Sequence, residues 1–122
     1  MFYVKIKLQQ SRIHGIGLFA DEDISTGKAV YCGNPKLDLL LTDKEFLKLS
    51  VNEQGTIKHY GYFDKYLKKW HLAFDDIRFC NHSSDGNISL KNNKLVAARN
   101  IKKGEEITQN YEEFEELREN LV

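Results

Sequence analysis

One segment in the second half of the sequence carries an unusual density of hydrogen-bonding groups. In RFCNHSSDGN, residues 78 to 87, an aromatic residue and a thiol are followed by amide, imidazole, hydroxyl, carboxylate and glycine. Such side chains between two strands commonly bond to nearby backbone, which would make the segment a self-bonded loop. The same groups can also hold a polar ligand. The segment is therefore either a structural loop or part of a binding site.

Three familiar kinds of chemistry do not fit the motifs. Ser83 and Ser84 lack the GxSxG frame that a serine hydrolase needs around its nucleophile. Cys80 and His82 have no further metal ligands at sensible spacing, so we expect no metal ion. The GIG turn at residues 15–17 lacks the third glycine and the helical context of a dinucleotide fingerprint. By itself, that turn indicates only a bend in the chain.

The composition is that of a globular protein with little overall charge. A chain of 122 residues, 30% charged and 41% hydrophobic, suits one domain with one core. Eighteen basic side chains balance eighteen acidic ones, so we expect no direct nucleic-acid partner. Cys32 and Cys80 lie far apart in sequence, which argues against a disulfide framework.

The amino terminus and the apolar runs bear on localisation. MFYVKIKL alternates where a signal peptide would have a solid apolar block. Every apolar run is shorter than the roughly 20 residues of a membrane span. We therefore expect an intracellular protein, cytoplasmic or nuclear, without a membrane partner.

The carboxy-terminal segment is strongly acidic. From Glu105 to Val122 seven glutamates face the single Arg118, a bias that favours a basic peptide partner. Phe114, Leu117 and Leu121 fall on one helical stripe, which predicts a helix or tail over about residues 112–122.

Short strands and turns dominate the first third of the chain. Residues 2 to 8 alternate between apolar and polar side chains, which predicts a half-buried strand. Glycine turns at residues 15–17 and 25–28 separate further apolar pieces, as in a meander of short strands. Thr42 and Glu45 have capping-box spacing, which predicts the start of a short helix. The buried face of the first strand would hold Phe2, Val4, Ile6 and Leu8.

Two hairpins are predicted further along. Residues 57–63 and 70–74 are rich in β-branched and aromatic side chains and flank a charged turn. Residues 88–91 and 94–99 flank a pair of asparagines, which tolerate left-handed backbone.

Three motifs follow one another in an order that is itself informative. They are HGIGLFADEDISTGKAV, RFCNHSSDGN and KKGEEITQNY, and in this order and at these separations they resemble SET-domain protein lysine methyltransferases. The resemblance spans Ser11 to Tyr111. That family typically shows a GxG turn, an RFxNHSCxPN segment and a GEExxxxY ending. The first and third motifs match, whereas Ser84 and Gly86 replace the usual Cys and Pro of the second.

The resemblance implies a mostly-β fold, the β-clip or SET fold. We expect a single SET domain over residues 1–122, built of several short sheets with a small helical insertion over about residues 37–56. The family's asparagine-histidine segment passes through a loop of the carboxy-terminal chain, so the resemblance implies a knot-like crossing, an arrangement that is rare in proteins.

The resemblance also implies S-adenosyl-L-methionine as the cofactor. Asn81 and the main chain of His82 would hold its amino-acid and adenine parts. Gly15 and Gly17 would let backbone N–H groups approach its carboxylate. The residues expected to contact the cofactor are Gly15, Ile16, Gly17, Arg78, Phe79, Asn81, His82 and Tyr111.

Methyl transfer to a lysine amine is the activity that the resemblance implies. A free lysine has a pKa of about 10.4, and its ammonium has no lone pair with which to attack. A narrow aromatic channel and a positive sulfur would both lower that pKa. Tyr111, at the end of the third motif, would direct its hydroxyl at the methyl and the amine without acting as a strong base. Tyr31 is a second catalytic candidate, with a core tyrosine as the alternative. The predicted substrate channel consists of Tyr31, Gln109 and Phe114.

Departures from the family pattern leave some questions open. Gln109 stands two residues before the motif tyrosine, where relatives commonly carry Phe or Tyr linked to the number of methyls added. The number of methyl groups added therefore stays open. The cysteine clusters that bind zinc beside other SET domains are missing from the sequence, so we expect a domain without zinc.

The expected substrate is a basic, lysine-containing peptide, with a histone tail as the family's usual choice. A homodimer could complete the substrate face. The departures at Ser84, Gly86 and Gln109 leave a rival interpretation, a non-catalytic SET-like binding module. A third alternative is methylation of a non-histone protein.

Overall fold

The computed structural model describes residues 1–117, which form two β-sheets and a small helical region. Residues 118–122 lie outside the described part of the chain. The strands are β1 (Ile6–Gln10), β2 (Ile16–Ala20), β3 (Ala29–Tyr31), β4 (Leu39–Leu41), β5 (Tyr62–Asp64), β6 (Lys69–Leu72), β7 (Asn81–His82), β8 (Ile88–Lys91), β9 (Lys94–Ala97) and β10 (Glu106–Gln109). The α-helices are α1 (Asp43–Leu47) and α2 (Val51–Tyr60), and Asp76–Phe79 and Tyr111–Glu113 form 3-10 turns. The mostly-β architecture predicted from the sequence is confirmed.

The larger sheet has seven strands, and β10 lies at its centre. The strand order is β1-β2-β10-β8-β9-β3, and β7 pairs with β10 outside this path. β10 runs antiparallel to β2 but parallel to β7 and β8. Since parallel partners need a long connection between them, segments distant in sequence meet along β10.

The smaller sheet and the two helices form the insertion. Its strand order is β4-β6-β5, and α1 and α2 lie between β4 and β5 in sequence. Phe46 of α1 stacks on Trp70 of β6 with ring centroids 4.2 Å apart, and Ile57 and Phe63 complete a small buried cluster. In the described part of the chain, no helix is long and apolar enough to cross a membrane.

The start of the first strand is later than the sequence predicts. The alternation of half-buried and exposed side chains holds from Phe2 to Lys7, but the strand runs over Ile6–Gln10 and Leu8 is 37% exposed. The first residues instead lie along β3, where the Tyr3 N–H donates to the Val30 carbonyl. The prediction of one strand over residues 2–8 is therefore wrong, because the chain pairs with β3 near Phe2 and with β2 from Ile6 onward.

The helical insertion extends further than expected. Thr42 caps α1 with Glu45, as predicted, but α2 runs through Tyr60, so the predicted strand over residues 57–63 is wrong for its first four positions. Ser50 and Glu53 form a second capping box that starts α2. Cooperative helix propagation from this cap outweighs the β-propensity of the following residues. The first predicted hairpin therefore forms only between β5 and β6.

The second predicted hairpin is confirmed. β8 and β9 pair antiparallel, and Asn92 and Asn93 connect them with φ of 52° and 64°. Two successive positive φ values are the geometry of a type I′ turn, whose twist matches that of the flanking strands.

The end of the described chain is extended rather than helical. After the turn at Tyr111–Glu113, Asp64 of β5 forms an antiparallel bridge with Glu115, and the Glu116 N–H donates to the Phe63 carbonyl at 2.8 Å. The predicted helical stripe is wrong at Phe114 and Leu117, and Leu121 lies outside the described residues. Backbone pairing along the free edge of β5 replaces the helix.

The core of the larger sheet is made of side chains from nearly every strand. Leu18, Val30 and Ile107 are completely buried, and Cys80 is 5% exposed. Gly86 lies directly against β10: a Cβ there would be 2.7 Å from the Cα of Gln109. The glycine that replaces the family's proline thus permits a closer approach of two backbones than any side chain allows.

The surroundings of Gly86 and Gly55 predict opposite effects of alanine substitution on the free energy of unfolding. Gly86→Ala should lower the free energy of unfolding by about 1–3 kcal/mol, because the new methyl meets backbone atoms that cannot move aside. Gly55→Ala, in α2 with no atom within 4 Å of the added carbon, should raise it by about 0.5–1 kcal/mol. Urea unfolding of both variants measures the difference. Equal effects at the two positions would contradict the close approach at Gly86.

Candidate active site

The asparagine-histidine segment lies directly beside β10. Asn81 pairs with Thr108 and His82 with Gln109 in a parallel register. Asn81 is 9% exposed, and its amide donates to the Glu106 carboxylate at 2.8 Å and to the His14 carbonyl at 3.0 Å. The three sequence motifs therefore meet at this one side chain.

Glu106 of the third motif joins the first motif as well. Its carboxylate accepts from the Ser11 hydroxyl at 2.7 Å and 2.9 Å. A Cβ at Gly17 would lie 2.5 Å from the same carboxylate, so glycine is needed there to admit Glu106. Gly15, two residues earlier, has a φ of 46°, a region that glycine populates without strain.

Asn87, at the end of the polar segment, completes the attachment to β10. Its amide donates to the Glu106 carbonyl at 2.8 Å, and its side-chain oxygen accepts from the Thr108 N–H at 2.9 Å. An asparagine that bonds both ways along a strand copies the pattern of a neighbouring strand. Several polar groups of the segment therefore form hydrogen bonds within the protein, and these bonds hold the segment against β10.

Tyr111 follows β10 and contacts the polar segment twice. Its N–H donates to Nδ1 of His82 at 3.0 Å, and its hydroxyl donates to the Cys80 carbonyl. Burial raises the pKa of the Tyr111 hydroxyl above its ordinary value, with further upward contributions from Cys80 and Glu115. The phenol therefore stays protonated at physiological pH, as expected of a tyrosine that orients groups rather than removing protons.

A cavity of about 930 Å³ lies beside Tyr111. Five residues predicted from the sequence line it, namely Tyr31, Arg78, Gln109, Tyr111 and Phe114. The other predicted cofactor contacts, Gly15, Ile16, Gly17, Phe79, Asn81 and His82, do not line it. The structure thus separates the predicted residues into a group that lines the cavity and a group that does not.

Tyr31 belongs both to the cavity and to the core. It is 5% exposed, packs edge-on against Phe2 at 4.8 Å and donates its hydroxyl to Asp75 Oδ1 at 2.8 Å. Burial and the Asp75 carboxylate raise the pKa of the Tyr31 hydroxyl. Tyr31 is thus a core tyrosine that also lines the cavity, so the two alternatives raised from the sequence do not exclude each other.

Gln109 and Phe114 form another part of the cavity wall. Gln109 is 4% exposed, and its amide donates to Glu113 Oε1 at 3.1 Å. The Phe114 ring lies 5.4 Å from the Tyr111 ring and 4.4 Å from the Tyr62 ring. An aromatic wall of this kind excludes water from a side chain that enters the cavity.

Sequence reasoning missed a polar group in the smaller sheet. Asp38, Tyr62 and His71 all line the cavity, and His71 contacts the other two at 2.7 Å and 3.0 Å. No local motif marks these residues, because they lie apart in sequence. The antiparallel pairing of Tyr62 with His71 is their only detectable sequence signal, and it requires the correct hairpin register.

The family model that matches this chain is that of the SET domain, over residues 15–112. The chain belongs to the SET-domain family. The match begins at Gly15 of the first motif and includes the second and third motifs in full.

Among curated relatives, this SET domain is similar to a histone-lysine N-methyltransferase, H3 lysine-36 specific, of Debaryomyces hansenii. The identity is 32% over 124 aligned positions, covering 89% of this chain and 16% of the relative. The chain thus spans about one-sixth of that relative's length.

Solved structures give the same fold. A humanized mutant of Polycomb Repressive Complex 2 of Chaetomium thermophilum is 28% identical, with a TM-score of 0.67 over 97% of this chain and 16% of that one. An autoinhibited form of such a complex, bound to S-adenosylmethionine, is 27% identical with a TM-score of 0.65. A Plasmodium falciparum protein, 24% identical, matches over 88% of this chain and 93% of its own, with a TM-score of 0.60, and supports the fold alone.

The reactivity of the two cysteine thiols tests the burial of Cys80. Cys80 is buried, its thiol donates to the Ile107 carbonyl at 3.5 Å, and burial raises its pKa to about 12. A raised thiol pKa means less reactive thiolate at any given pH. In the folded protein at pH 8, we expect Cys32 alone to react rapidly with a disulfide reagent such as DTNB. Cys80 should react only after denaturation. If a folded Cys32→Ser variant still contained a rapidly reacting thiol, that thiol would be Cys80, and the result would contradict the burial of Cys80.

Proposed function

We propose that this SET domain is an S-adenosylmethionine-dependent protein lysine N-methyltransferase. The observation that carries the proposal is the position of Tyr111, which bonds to His82 and Cys80 of the polar segment and lines the cavity. One tyrosine thereby joins the segment that is proposed to hold the cofactor to the cavity that is proposed to hold a lysine side chain. The family and the histone-lysine methyltransferase relative support the same activity.

The residues predicted to contact the cofactor, which include Arg78 of the cavity wall, fit that role chemically. At Gly15 no atom lies within 4 Å of where a Cβ would be, so the turn is open to a close approach. His82 presents an exposed imidazole, and the exposed Arg78 guanidinium lies over the Tyr60 ring at 5.7 Å without an ion pair in residues 1–117. A carboxylate, an amine and an adenine would find complementary partners here.

Binding of the cofactor is proposed to involve Gly15, Ile16, Gly17, Arg78, Phe79, Asn81, His82 and Tyr111. When bound, S-adenosylmethionine supplies an electrophilic methyl group on a sulfonium. Asn81 is already committed to Glu106 and His14, so its role toward the cofactor includes fixing the backbone of its own segment. Gly17 serves the same end by admitting Glu106.

Tyr111 is proposed to orient the methyl transfer. Because its proton is committed to the Cys80 carbonyl, the oxygen lone pairs remain as acceptors for weak C–H contacts and for the amine. Phe114 and Tyr31 would line the channel and desolvate the lysine. In-line displacement depends on such positioning more than on any reactive side chain.

The cavity favours a cationic guest. Asp38, Asp64 and Glu115 all line it. We therefore propose a basic peptide as substrate, with a histone tail suggested by the relative's name, and an intracellular, chromatin-associated setting. A non-histone protein substrate and a homodimer remain compatible proposals.

Replacement of Tyr111 tests the proposed activity. The wild-type protein should transfer labelled methyl groups from S-adenosylmethionine to a panel of core histones and basic peptides. Tyr111→Phe should reduce that rate by about 10²-fold, because a positioned hydroxyl in a dry site is lost. Tyr3→Phe is the matched control, since Tyr3 is 38% exposed and lies outside the cavity.

The same protein samples separate the enzyme from a binding module. Calorimetry that detects cofactor binding without turnover, unchanged by Tyr111→Phe, would favour the non-catalytic alternative. Mass spectrometry of methylated peptides identifies the modified lysine and the number of methyls together.

A further inference from the structure

Three polar side chains form a hydrogen-bonded chain in the wall of the cavity. Nε2 of His71 lies 2.7 Å from Asp38 Oδ2, and Nδ1 of His71 lies 3.0 Å from the Tyr62 hydroxyl. The Asp38 side chain is 3% exposed and that of His71 is 18% exposed. The sequence motifs and the proposed role of Tyr111 leave these three residues unused.

The partners determine where the protons are. Asp38 is an acceptor, so Nε2 of His71 carries a proton that it donates to the carboxylate. Nδ1 is then the acceptor of the neutral imidazole and receives the Tyr62 hydroxyl. Asp38 is itself fixed, because its Oδ1 accepts from the Phe74 N–H at 3.1 Å. Because the Tyr62 hydroxyl donates its proton to Nδ1 of His71, its oxygen lone pairs are free to accept another hydrogen bond.

Tyr62 lies where the substrate amine is proposed to enter. Its ring packs against Phe114 at 4.4 Å, and Phe114 packs against Tyr111 at 5.4 Å. Tyr62, Phe114 and Tyr111 all line the same cavity. A lysine side chain that enters among these rings would meet the Tyr62 hydroxyl.

We propose that Tyr62, His71 and Asp38 form a proton relay that removes a proton from the substrate ammonium before methyl transfer. The ammonium N–H bond breaks as its proton passes to the Tyr62 oxygen, and the original Tyr62 proton passes to Nδ1 of His71. The amine keeps the electron pair of the broken bond. His71 then releases its extra proton to solvent, and rotation of the Tyr62 hydroxyl restores the starting arrangement. This inference rests on the proposed function.

The surroundings of His71 suit a transient positive charge. Asp38, in the segment before β4, places its Oδ2 2.7 Å from Nε2 of His71. Asp64 of β5 places its Oδ2 3.9 Å from Nδ1. Tyr31 and Glu115 also act electrostatically on this group, through Asp38 and Tyr62. Two carboxylates beside one imidazole stabilise the imidazolium that the relay forms.

The other cavity tyrosines suit this role less well than Tyr62. The Tyr111 hydroxyl donates to a backbone carbonyl, which has no affinity for a further proton. The Tyr31 hydroxyl donates to Asp75 and is 5% exposed in the core. Tyr62 alone among these three donates to an imidazole, the side chain that most readily accepts and returns a proton near neutral pH.

The relay also joins strands β5 and β6 to the segment before β4, so its loss could act through stability. Dependence on pH separates the two roles. Without a relay, only amine that is already deprotonated can react, and the free-amine fraction of a lysine rises about tenfold per pH unit below its pKa of about 10.4. A structural defect has no such link to the protonation of the substrate.

The test measures kcat/KM for a lysine peptide between pH 7 and pH 10 with the wild-type protein, Tyr62→Phe and His71→Gln. Tyr62→Phe keeps the ring packing, and His71→Gln keeps hydrogen bonding but cannot take up a proton. Both should be about 10²-fold slower than wild type at pH 7 and approach wild type as pH rises. Tyr3→Phe, outside the cavity, should match wild type at every pH. Circular dichroism at each pH verifies folding.

A second substrate provides an independent readout. A peptide with S-aminoethylcysteine in place of lysine has a more acidic ammonium, so the deficits of both variants at pH 7 should shrink. Methyl transfer by wild type with a variant deficit that is constant across pH, and equal for both peptides, would overturn the relay alone. Absence of methyl transfer by wild type on every peptide would overturn the proposed function itself.

Discussion

The parallel contact between β7 and β10 is the constraint on which the site depends. It joins residues more than twenty positions apart, and a two-residue strand offers little backbone pairing to hold such a contact. Side chains supply the rest: Asn81 and Asn87 bond to the Glu106 side chain and backbone, and Glu106 reaches on to Ser11. Closing the long loop is entropically costly, and these partly buried hydrogen bonds, two of which involve the Glu106 carboxylate, offset that cost.

The same arrangement explains why an acidic residue lies beneath the first turn. The space beside Gly17 is filled by the Glu106 carboxylate, which also receives the amide of Asn81. A partly buried carboxylate needs such partners, and here they come from Ser11, just before the first motif, and from Asn81 of the second. Some motif residues of this SET domain therefore serve one shared hydrogen-bond network, and only some of them are available for ligand contacts.

Three tyrosines around one cavity differ in function through the acceptor that each hydroxyl finds. Tyr111 donates to a carbonyl, Tyr31 to a carboxylate and Tyr62 to an imidazole. Burial raises the pKa of all three, so none ionises readily. Their differences therefore arise from where each proton is directed, and this is decided by neighbours on other strands.

The sequence by itself determined the elements with local signals and the three motifs. The Thr42 cap of α1, the asparagine turn between β8 and β9, and the closeness of Asn81, His82 and Tyr111 were all predictable. It also contained the Ser50 capping box, although the strand propensity after it concealed α2. Only the tertiary structure decided the partner exchange near Phe2, the extended end after Tyr111 and the group of Asp38, Tyr62 and His71. Each of these depends on contacts between segments far apart in sequence, which local propensity and spacing do not encode.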